Sequence, residues 1–367
     1  MPSKKDSFNS SDKNYMELAI NLAKNQKLLT GSNPSVGCVI VKNNKIISFG
    51  QTNINGRPHA ETIALNKNKK KENIGSTVYI TLEPCSHYGK TAPCIKALIK
   101  SKVKKVNYSI EDEDIRCFNK AKKILKSNKI LTKSGLLSKE VKIFYENYNY
   151  TKKKKLPYTI GKLACSFNFR ILKNKVDITN EHSRKVSHLL RYENQGILTS
   201  YKTINNDNPK LTCRLNGLEK FSPMRVVIDR DLKINLNSYI IKNASKYKTF
   251  IIHNSKNTKK INNLNNKGVK LILFKVENDK YFDLKKLLKK IYDLGIYTLL
   301  VECGSVLTDK MISNNIFNEF YLFKSSKILN NKDKIKVLNI KKNLNKTFKN
   351  KNFVNTYLDK DTLMHYY

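Results

Sequence analysis

One stretch of the sequence carries the residue types of a catalytic zinc site. His59 stands two residues before Glu61, and two cysteines, Cys85 and Cys94, follow. One imidazole and two thiolates suit a soft, tetrahedral ion and leave the fourth position open for water. Zinc lowers the pKa of such a water from about 15.7 to roughly 7, so hydroxide becomes available at neutral pH. Glu61 is not needed as a ligand and is predicted to carry a proton from the water to a ring nitrogen and then to a departing amine.

The spacing of the two cysteines is unusual for this chemistry. Zinc deaminases carry H-x-E followed by P-C-x-x-C, whereas eight residues separate Cys85 from Cys94 here. Plain buried thiols are the alternative, because free cysteine is among the most buried residue types. The β-rich run over residues 77–82 leads directly into Pro84 and Cys85. Together with H-A-E at a predicted helix start, this run favours a catalytic zinc site.

The composition indicates two globular domains. A chain of 367 residues with 40% hydrophobic residues exceeds the size of about 250–300 residues at which single cores stop growing. No run approaches the roughly 18 apolar residues of a membrane span, and the N-terminus lacks the apolar core of a signal peptide. The seven cysteines form no disulfide framework. We therefore expect a cytoplasmic protein with no membrane partner.

The formal net charge of +42 raises the question of nucleic-acid binding. An RNA-associated nucleobase deaminase is one alternative, and it predicts tight binding with a steep salt dependence. The lysines, however, are spread over both halves among many Asn and Ile residues. We expect no nucleic acid as the physiological ligand, because an anionic small molecule, such as a phosphorylated substrate, needs only two or three of these charges.

The elements that must position the zinc ligands alternate between helix and strand, which indicates an α/β fold. Asp12 is predicted to cap the first helix. Asn43-Asn44 is predicted to close a hairpin. Asn33 precedes a strand on an Asn-Pro turn and is either turn chemistry or an amide that faces the substrate. The predicted helices cover 12–27, 59–65, 94–99 and 117–127, and the predicted strands start after Gly37 and cover 46–49, 77–82 and 104–110.

A run of four lysines before Pro157 marks the domain boundary, as a linker or as a solvated helix end. The predicted domains are 12–150 and 156–367. In the second domain, a strand followed by Gly304 and a helix start forms a possible phosphate site, although dinucleotide loops carry several glycines. The predicted strands there cover 158–166, 196–200, 225–229, 250–252, 269–274 and 298–302, with a helix over 181–192 and a polar loop over 203–209.

The two halves together resemble a family of bifunctional riboflavin-biosynthesis enzymes, in which a diaminohydroxyphosphoribosylaminopyrimidine deaminase precedes a 5-amino-6-(5-phosphoribosylamino)uracil reductase. The resemblance covers residues 15–323 and is most specific over 33–41, 58–61 and 81–94, where the long gap between the cysteines is typical of the family. It implies an N-terminal cytidine-deaminase-like three-layer α/β/α domain with a mixed sheet. A C-terminal dihydrofolate-reductase-like α/β domain follows.

The resemblance also implies the reactions. His59, Cys85 and Cys94 are implied to bind Zn²⁺, and Glu61 is implied to carry the proton. Water activated by the zinc would attack C2 of 2,5-diamino-6-(5-phosphoribosylamino)pyrimidin-4(3H)-one, and ammonia would leave. NADPH then reduces the ribosyl group at C1 to ribityl. The expected partner is this phosphorylated pyrimidine, and the expected assembly is a homo-oligomer. A deaminase with a degenerate, oligomer-forming reductase half is the alternative.

The remaining site residues are carried over from the same resemblance. Arg191 and Arg214 are predicted to hold the substrate phosphate, which suits the planar fork of a guanidinium. The predicted substrate-binding residues are Asn33, Lys90, Lys162, Arg191, Leu211, Arg214 and Glu302. The predicted NADPH-binding residues are Ala164, Ser166, Asp177, Thr203, Asp207, Gly304, Ser305, Val306 and Leu307.

The chain departs from the family pattern at four places. Leu-Asp-Gly after Ser166 is replaced by Phe-Asn-Phe over 167–169, and a Ser-x-Trp pair is replaced over 175–177. A serine after Val-Ile-Asp is replaced by Arg230, and a Pro- and Gly-rich segment is replaced over 111–116. The deaminase chemistry is unaffected, while the reductase loses one aromatic cofactor contact.

Overall fold

Residues 8–27, 29–172, 178–276, 282–329 and 334–367 are described by a computed structural model of the chain. The chain separates into two units, Met1–Lys155 and Leu156–Tyr367. Among the helices of the described residues, none has the length and apolar character needed to cross a bilayer.

The first unit contains a five-stranded mixed sheet and seven helices among its described residues. Its strands are β1 (Gly37–Lys42), β2 (Lys45–Gln51), β3 (Thr77–Leu82), β4 (Lys105–Ile110) and β5 (Leu131–Ser134). Its helices are α1 (Ser10–Lys24), α2 (Ala60–Lys67), α3 (Lys70–Asn73), α4 (Cys94–Lys100), α5 (Ala121–Ser127), α6 (Ser138–Phe144) and α7 (Glu146–Lys154). The strand order is β2-β1-β3-β4-β5, with β1 antiparallel to both neighbours and β3, β4 and β5 parallel.

Two glycines explain how helices cover both faces of this sheet. Cys38 pairs with Gly50 across β1 and β2, so Gly50 faces the side opposite to Gly37. A Cβ on Gly37 would lie 1.8 Å from the carbonyl oxygen of Ala19 in α1, and one on Gly50 would lie 2.4 Å from that of Ala60 in α2. Helices α1 and α2 therefore press on opposite faces, which confirms the predicted three-layer α/β/α arrangement.

The first turns follow local sequence chemistry. Asn9, and not Asp12, caps α1: the Asn9 side chain accepts from the Asp12 backbone N–H, and the Asp12 carboxylate accepts from the Asn9 N–H. The prediction of Asp12 as the cap was wrong, because Asp12 occupies the third helical position of a capping box in which Asn9 is the N-cap. Asn43 and Asn44 both have positive φ and close the β1–β2 hairpin as predicted.

The predicted helix over 117–127 begins only at Ala121. Residues 115–120 form turns instead, and Asn119 adopts a left-handed conformation with φ of 57°. The carboxylate of Glu83 accepts hydrogen bonds from the backbone N–H groups of Asn119 and Ala121 at 3.1 and 2.9 Å. These bonds to a neighbouring strand end replace the bonds that a helix would have made here.

The lysine run before Pro157 is a helix end. Helix α7 includes Lys152, Lys153 and Lys154, and Lys155 ends it in the left-handed conformation with φ of 55°. Of the two alternatives for this run, the solvated helix end is the observed one.

The second unit is built on a nine-stranded sheet. The eleven strands among the described residues of this unit are β6 (Tyr158–Cys165), β7 (Arg170–Leu172), β8 (Gly196–Ser200), β9 (Met224–Ile228), β10 (Thr249–His253), β11 (Lys270–Leu273), β12 (Thr298–Val301), β13 (Glu319–Lys324), β14 (Lys334–Lys336), β15 (Lys351–Phe353) and β16 (Thr362–Tyr366). Its helices are α8 (Glu181–Tyr192), α9 (Tyr201–Asp207), α10 (Tyr239–Lys242), α11 (Thr258–Asn266), α12 (Leu284–Asp293), α13 (Ser305–Ser313) and α14 (Leu338–Thr347).

The order of this sheet is β11-β10-β9-β8-β12-β6-β13-β16-β15, while β7 and β14 pair separately. The first seven strands in this order are parallel to one another. Strand β16 is antiparallel to β13, and β15 is antiparallel to β16. The carboxyl ends of β6, β8 and β12 therefore meet at one edge, where ligands bind in open α/β sheets. The predicted polar loop over 203–209 is largely helix α9, because the Ser200 hydroxyl caps it at the Thr203 N–H.

Candidate active site

The three predicted zinc ligands come from separate elements of the first unit. His59 is the N-cap residue of α2, Cys85 follows the end of β3, and Cys94 is the first residue of α4. The backbone N–H of Cys94 donates to the Cys85 sulfur at 3.2 Å, and the N–H of Ile95 donates to the Cys85 carbonyl at 3.2 Å. The start of α4 is thus tied to the residue after Pro84, which closes the loop over 86–93.

The spacing of the three ligand atoms fits one zinc ion. His59 Nδ1 lies 3.2 Å from Cys94 Sγ and 3.6 Å from Cys85 Sγ, and the three atoms lie within 4.8 Å of one another. A tetrahedral ion with Zn–S of about 2.3 Å and Zn–N of about 2.0 Å requires about 3.5 Å between nitrogen and sulfur. The donor set is that of a catalytic site, with three protein ligands and room for one more.

The charges of the site suit metal ligation and proton transfer. Hydrogen bonds from Cys94 and His59 lower the pKa of Cys85 to about 4, although burial opposes this shift. A thiolate is the form that binds metal. Glu61 is the second residue of α2 and is buried, and burial raises the pKa of its carboxyl above the ordinary range. A carboxylate with a raised pKa is suited to take up and release a proton near neutral pH.

Glu83 anchors the backbone of the segment after β4 through its carboxylate. Its buried carboxylate accepts from the backbone N–H groups of Asp112, Asn119 and Ala121 at 3.1, 3.1 and 2.9 Å. All three donors lie in the segment after β4. Because Glu83 stands two residues before Cys85 in the sequence, its hydrogen bonds connect this segment to the chain that leads into the zinc ligand.

Asn33 and Lys90 both lie on turns of the first unit. The Asn33 amide donates to the Gly56 carbonyl at 2.8 Å and ties the Asn-Pro turn to the segment that precedes His59. Lys90 is exposed on the loop between the two cysteines. Substrate contact by either residue stays a prediction.

In the second unit, a largely buried ion cluster forms beside the carboxyl end of β12. Arg191 donates from Nε and Nη2 to the two carboxylate oxygens of Glu302 at 2.7 and 2.9 Å, and Lys162 Nζ lies 3.8 Å from the same carboxylate. Burial raises the pKa of Glu302, but the charges of Arg191 and Lys162 outweigh it and lower the pKa to about 2. Three predicted substrate residues thus form one charged cluster.

This pairing limits the predicted phosphate role of Arg191. Its Nε–Nη2 edge faces Glu302, and Nη1 donates to the Thr212 carbonyl at 3.2 Å. The fork edge predicted for a phosphate is therefore occupied by a carboxylate. Arg214 has an exposed side chain and stays a predicted phosphate ligand. Leu211 is buried and adopts the left-handed conformation with φ of 51°, and its contact with substrate stays a prediction.

His188 is a residue of this cluster that the sequence analysis missed. It stands one helical turn before Arg191, and its Nδ1 lies 3.2 Å from the Thr212 carbonyl. Burial and the nearby arginines lower its pKa to about 4, so the ring is neutral at physiological pH. The i, i+3 spacing of His188 and Arg191 on one helix face was the available signal.

Five of the predicted cofactor residues lie at or beside the start of α13: Thr203, Gly304, Ser305, Val306 and Leu307. Gly304 caps this nine-residue helix without a side-chain hydrogen bond. A Cβ on Gly304 would find its nearest neighbour, Thr203 Oγ1, 3.9 Å away. The buried Thr199 hydroxyl has no partner among the described residues. A helix N-terminus whose cap residue has no side chain suits the phosphates of NADPH.

The other predicted cofactor residues have mixed placements. Ser305 is buried, Val306 is exposed, and Leu307 is half-buried against the core. Asp207 ends α9, and burial raises the pKa of its carboxyl. Ala164 is half-buried near the end of β6. Asp177 lies outside the described residues.

Ser166 holds the turn in which the family pattern is lost. Its hydroxyl donates to Asn168 Oδ1 at 2.7 Å and accepts from the Arg170 N–H at 3.0 Å. Phe169 takes a positive φ of 53°, where the family usually has glycine. Residues 166–170 therefore form a turn with the sequence Phe-Asn-Phe, and the Ser166 side chain is engaged in hydrogen bonds within this turn.

Two families match the chain in sequence. Residues 9–110 match the family described as the cytidine and deoxycytidylate deaminase zinc-binding region, and residues 172–351 match the RibD C-terminal domain. The first match contains all three candidate zinc ligands, and the second contains the Arg191–Glu302 pair.

Similar proteins match over most of their length. The riboflavin biosynthesis protein RibD of Aquifex aeolicus is 34% identical over 321 residues, which cover 87% of this chain and 88% of that protein. RibD of Escherichia coli is 29% identical, with 87% and 88% covered. Among solved structures, Acinetobacter baumannii RibD is 26% identical, with a TM-score of 0.83 and coverage of 97% and 98%. The deaminase/reductase of Thermotoga maritima is 26% identical, with a TM-score of 0.77 and the same coverage.

Proposed function

The chain belongs to the RibD family of riboflavin biosynthesis proteins, and we propose that its two units divide the two reactions between them. The protein is a bifunctional enzyme with zinc-dependent deaminase and NADPH-dependent reductase activities. Residues 12–150 carry the deamination of 2,5-diamino-6-(5-phosphoribosylamino)pyrimidin-4(3H)-one in this proposal. Residues 156–367 carry the reduction of the ribosyl group of the product to ribityl.

The convergence of His59, Cys85 and Cys94 within 4.8 Å supports the deaminase assignment most directly. These residues would hold Zn²⁺, which supplies Lewis-acid activation of water. Glu61 takes one proton from the attacking water and delivers it to the ring nitrogen beside C2, and it then transfers the second proton of that water to the departing amine. Because α2 presents both His59 and Glu61, the ligand and the proton carrier keep a constant separation.

In the reductase half, Glu302 and Lys162 are proposed to contact the substrate, and Arg191 holds Glu302 in one orientation through its two hydrogen bonds. The amides at the start of α13 and the Thr203 hydroxyl would hold NADPH, which supplies a hydride to C1 of the opened ribose. Arg214 is proposed to hold the substrate phosphate. Since Glu302 is ionised and Arg191 is fully paired, the cluster orients polar groups without changing its own protonation.

The test follows the two products in sequence. The full-length protein loaded with zinc is given the diaminopyrimidine substrate, and ammonia release is measured without NADPH. NADPH is then added, and the loss of its absorbance is followed. Ammonia release followed by NADPH oxidation is the expected result. Ammonia without NADPH oxidation would leave a deaminase with a degenerate reductase half, and neither signal would remove the proposal.

The compartment and the assembly are also part of this proposal. All seven cysteines are free, including buried thiols in both units, which favours a reducing compartment such as the cytoplasm. Strand β15 is an exposed edge of the nine-stranded sheet, with Phe353 on its surface. Exposed edges pair readily with other chains, so we expect a homo-oligomer, which sedimentation of the purified protein would detect.

A further inference from the structure

An arginine–aspartate pair stands on the turn after β9, at the carboxyl edge of the nine-stranded sheet. Arg230 Nε and Nη2 donate to the two carboxylate oxygens of Asp231 at 2.8 and 3.0 Å, and Lys233 Nζ lies 3.5 Å from the same carboxylate. The three side chains are 40%, 39% and 61% exposed, so a ligand can reach them. Because two cations share one exposed anion, this turn carries a net positive charge.

Buried hydrogen bonds fix the backbone of this turn. The buried Asp229 carboxylate accepts from the backbone N–H groups of Lys233 and Ile234 at 2.8 and 2.7 Å. The carbonyl of Arg230 accepts from the N–H of Asn254, which follows β10, at 2.8 Å. The start of the Arg230 side chain is therefore held in place, and only its exposed end needs to move to change partners.

Helix α9 connects this turn to the predicted cofactor site. Asn205 Nδ2 donates to the Lys233 carbonyl at 3.0 Å, and Asn205 Oδ1 accepts from the Asn235 N–H at 2.9 Å. Thr203 of the same helix lies 3.9 Å from a Cβ placed on Gly304. One helix therefore contacts both the start of α13 and the turn after β9.

The strand order indicates what a dinucleotide would meet at this edge. Strand β8 lies between β12 and β9, and neighbouring strands are about 4.8 Å apart, so the ends of β12 and β9 are about 10 Å apart. A dinucleotide whose pyrophosphate lies at the start of α13 would cross the end of β8 and bring its adenosine ribose to the end of β9. In open α/β sheets an acidic residue contacts the 2′-hydroxyl of NADH, whereas an arginine accommodates the 2′-phosphate of NADPH. Here Asp231 and Arg230 offer both residue types side by side.

The energetics favour the phosphate over the hydroxyl. An exposed ion pair such as Arg230–Asp231 is weak, because water and salt screen it. A phosphate offers the guanidinium two charge-assisted hydrogen bonds in the geometry of its planar fork. We propose that Arg230 is a specificity-determining residue of the reductase, which exchanges Asp231 for the 2′-phosphate of NADPH with Lys233 as the second cation. The inference rests on the proposed function for the presence of a nicotinamide cofactor.

Binding to the wild type tests the proposal without any turnover. Full-length, zinc-loaded protein is titrated with NADPH and with NADH, and nicotinamide fluorescence is followed. NADPH is expected to bind at least about tenfold more tightly. Calorimetry with adenosine 2′,5′-bisphosphate and adenosine 5′-monophosphate is expected to show the same preference, and equal affinities of this second pair would overturn the proposal. If neither nicotinamide cofactor binds while the bisphosphate is still preferred, the proposed reductase function is contradicted and the phosphate site stands.

Two variants then assign the preference to Arg230. Arg230→Gln is expected to weaken NADPH binding about tenfold or more and to leave NADH binding unchanged. Asp231→Asn is expected to tighten NADPH binding about two- to threefold, because it removes the competing partner of the guanidinium. A loss of NADH affinity in Asp231→Asn would show that the carboxylate holds a ribose hydroxyl, and an equal loss of both cofactors in Arg230→Gln would show a structural role; either result would overturn the proposal.

Lys185→Gln is the matched control for the high positive charge of the chain. It removes one cation from the exposed pair Lys185–Glu181 on α8, whose side chains are 58% and 69% exposed. The ratio of the NADPH and NADH affinities is expected to stay at the wild-type value. If the control lowers this ratio as much as Arg230→Gln does, the preference comes from the net charge of the protein and the proposal is overturned.

Discussion

Replacing Glu302 with glutamine is expected to destabilise the second unit by about 3 kcal/mol at neutral pH. Its carboxylate is only 12% exposed and receives two hydrogen bonds from Arg191. The net fall of its pKa from 4.5 to about 2 corresponds to about 3 kcal/mol, since each pH unit is worth about 1.36 kcal/mol. Removal of one partner from a buried ion pair costs about 3–5 kcal/mol, because the other charge is left uncompensated. The two routes agree.

The effect has a defined pH dependence. A carboxyl group whose pKa is lowered by folding stabilises the native state fully above its ordinary pKa, 4.5, and this contribution is lost as the pH falls from 4.5 toward 2. The glutamine variant has no such titration. The stability difference between wild type and variant is therefore expected to be largest above pH 5 and to shrink as the solution is acidified toward pH 2.

Urea unfolding followed by circular dichroism and tyrosine fluorescence is the appropriate assay, because the chain contains no tryptophan. Asp293→Asn is the matched control: it breaks the exposed pair Lys289–Asp293, whose side chains are 49% and 51% exposed. Exposed helix pairs of this spacing are worth about 0.3–0.5 kcal/mol. If Glu302→Gln costs no more than this control, the argument from burial and pairing is refuted.

Three further outcomes are expected. Glu61→Gln lowers ammonia release by about 10²–10⁴-fold with zinc content unchanged by metal analysis; a rate near that of the wild type would show that another group moves the proton. Gly304→Glu weakens NADPH binding at least about tenfold in a fluorescence titration, because its carboxylate meets the negative phosphates at the start of α13. Gly304→Ala serves as its control, since a Cβ there has no neighbour closer than 3.9 Å; equal affinities of the two variants would place the cofactor elsewhere. Burial raises the pKa of Asp112 to about 6, so the native state is favoured below its ordinary value of 3.8 and loses this contribution as the pH rises through 6. Asp112→Asn is therefore expected to stabilise the first unit by up to about 3 kcal/mol at pH 8 and to change little at pH 3.5; urea unfolding that shows the same difference at both pH values would exclude this titration as the cause.

The zinc site was predictable from sequence because its ligands stand at the ends of regular elements. His59 at the start of α2, Cys85 after β3 and Cys94 at the start of α4 are each placed by a strand or helix whose pattern is visible in the residues. In a parallel arrangement these ends meet at one edge of the sheet. The family resemblance then supplied the roles, and the geometry is compatible with them.

The parts that sequence analysis missed depend on pairings between distant residues. Arg191 and Glu302 are 111 positions apart, and nothing local to either residue shows that the two side chains pair. The late start of α5 depends on Glu83, which lies 38 positions before Ala121. The sequence predicted a helix from residue 117, whereas backbone hydrogen bonds to Glu83 accompany the turns over 115–120.

The way Glu83 supports the zinc loop bears on how this protein can diverge. Its carboxylate accepts hydrogen bonds from main-chain N–H groups, which every residue except proline possesses. These bonds therefore do not depend on which side chains occupy the segment after β4. Substitutions can accumulate there, and the acidic run over 111–114 can replace a Pro- and Gly-rich segment while the backbone donors to Glu83 remain.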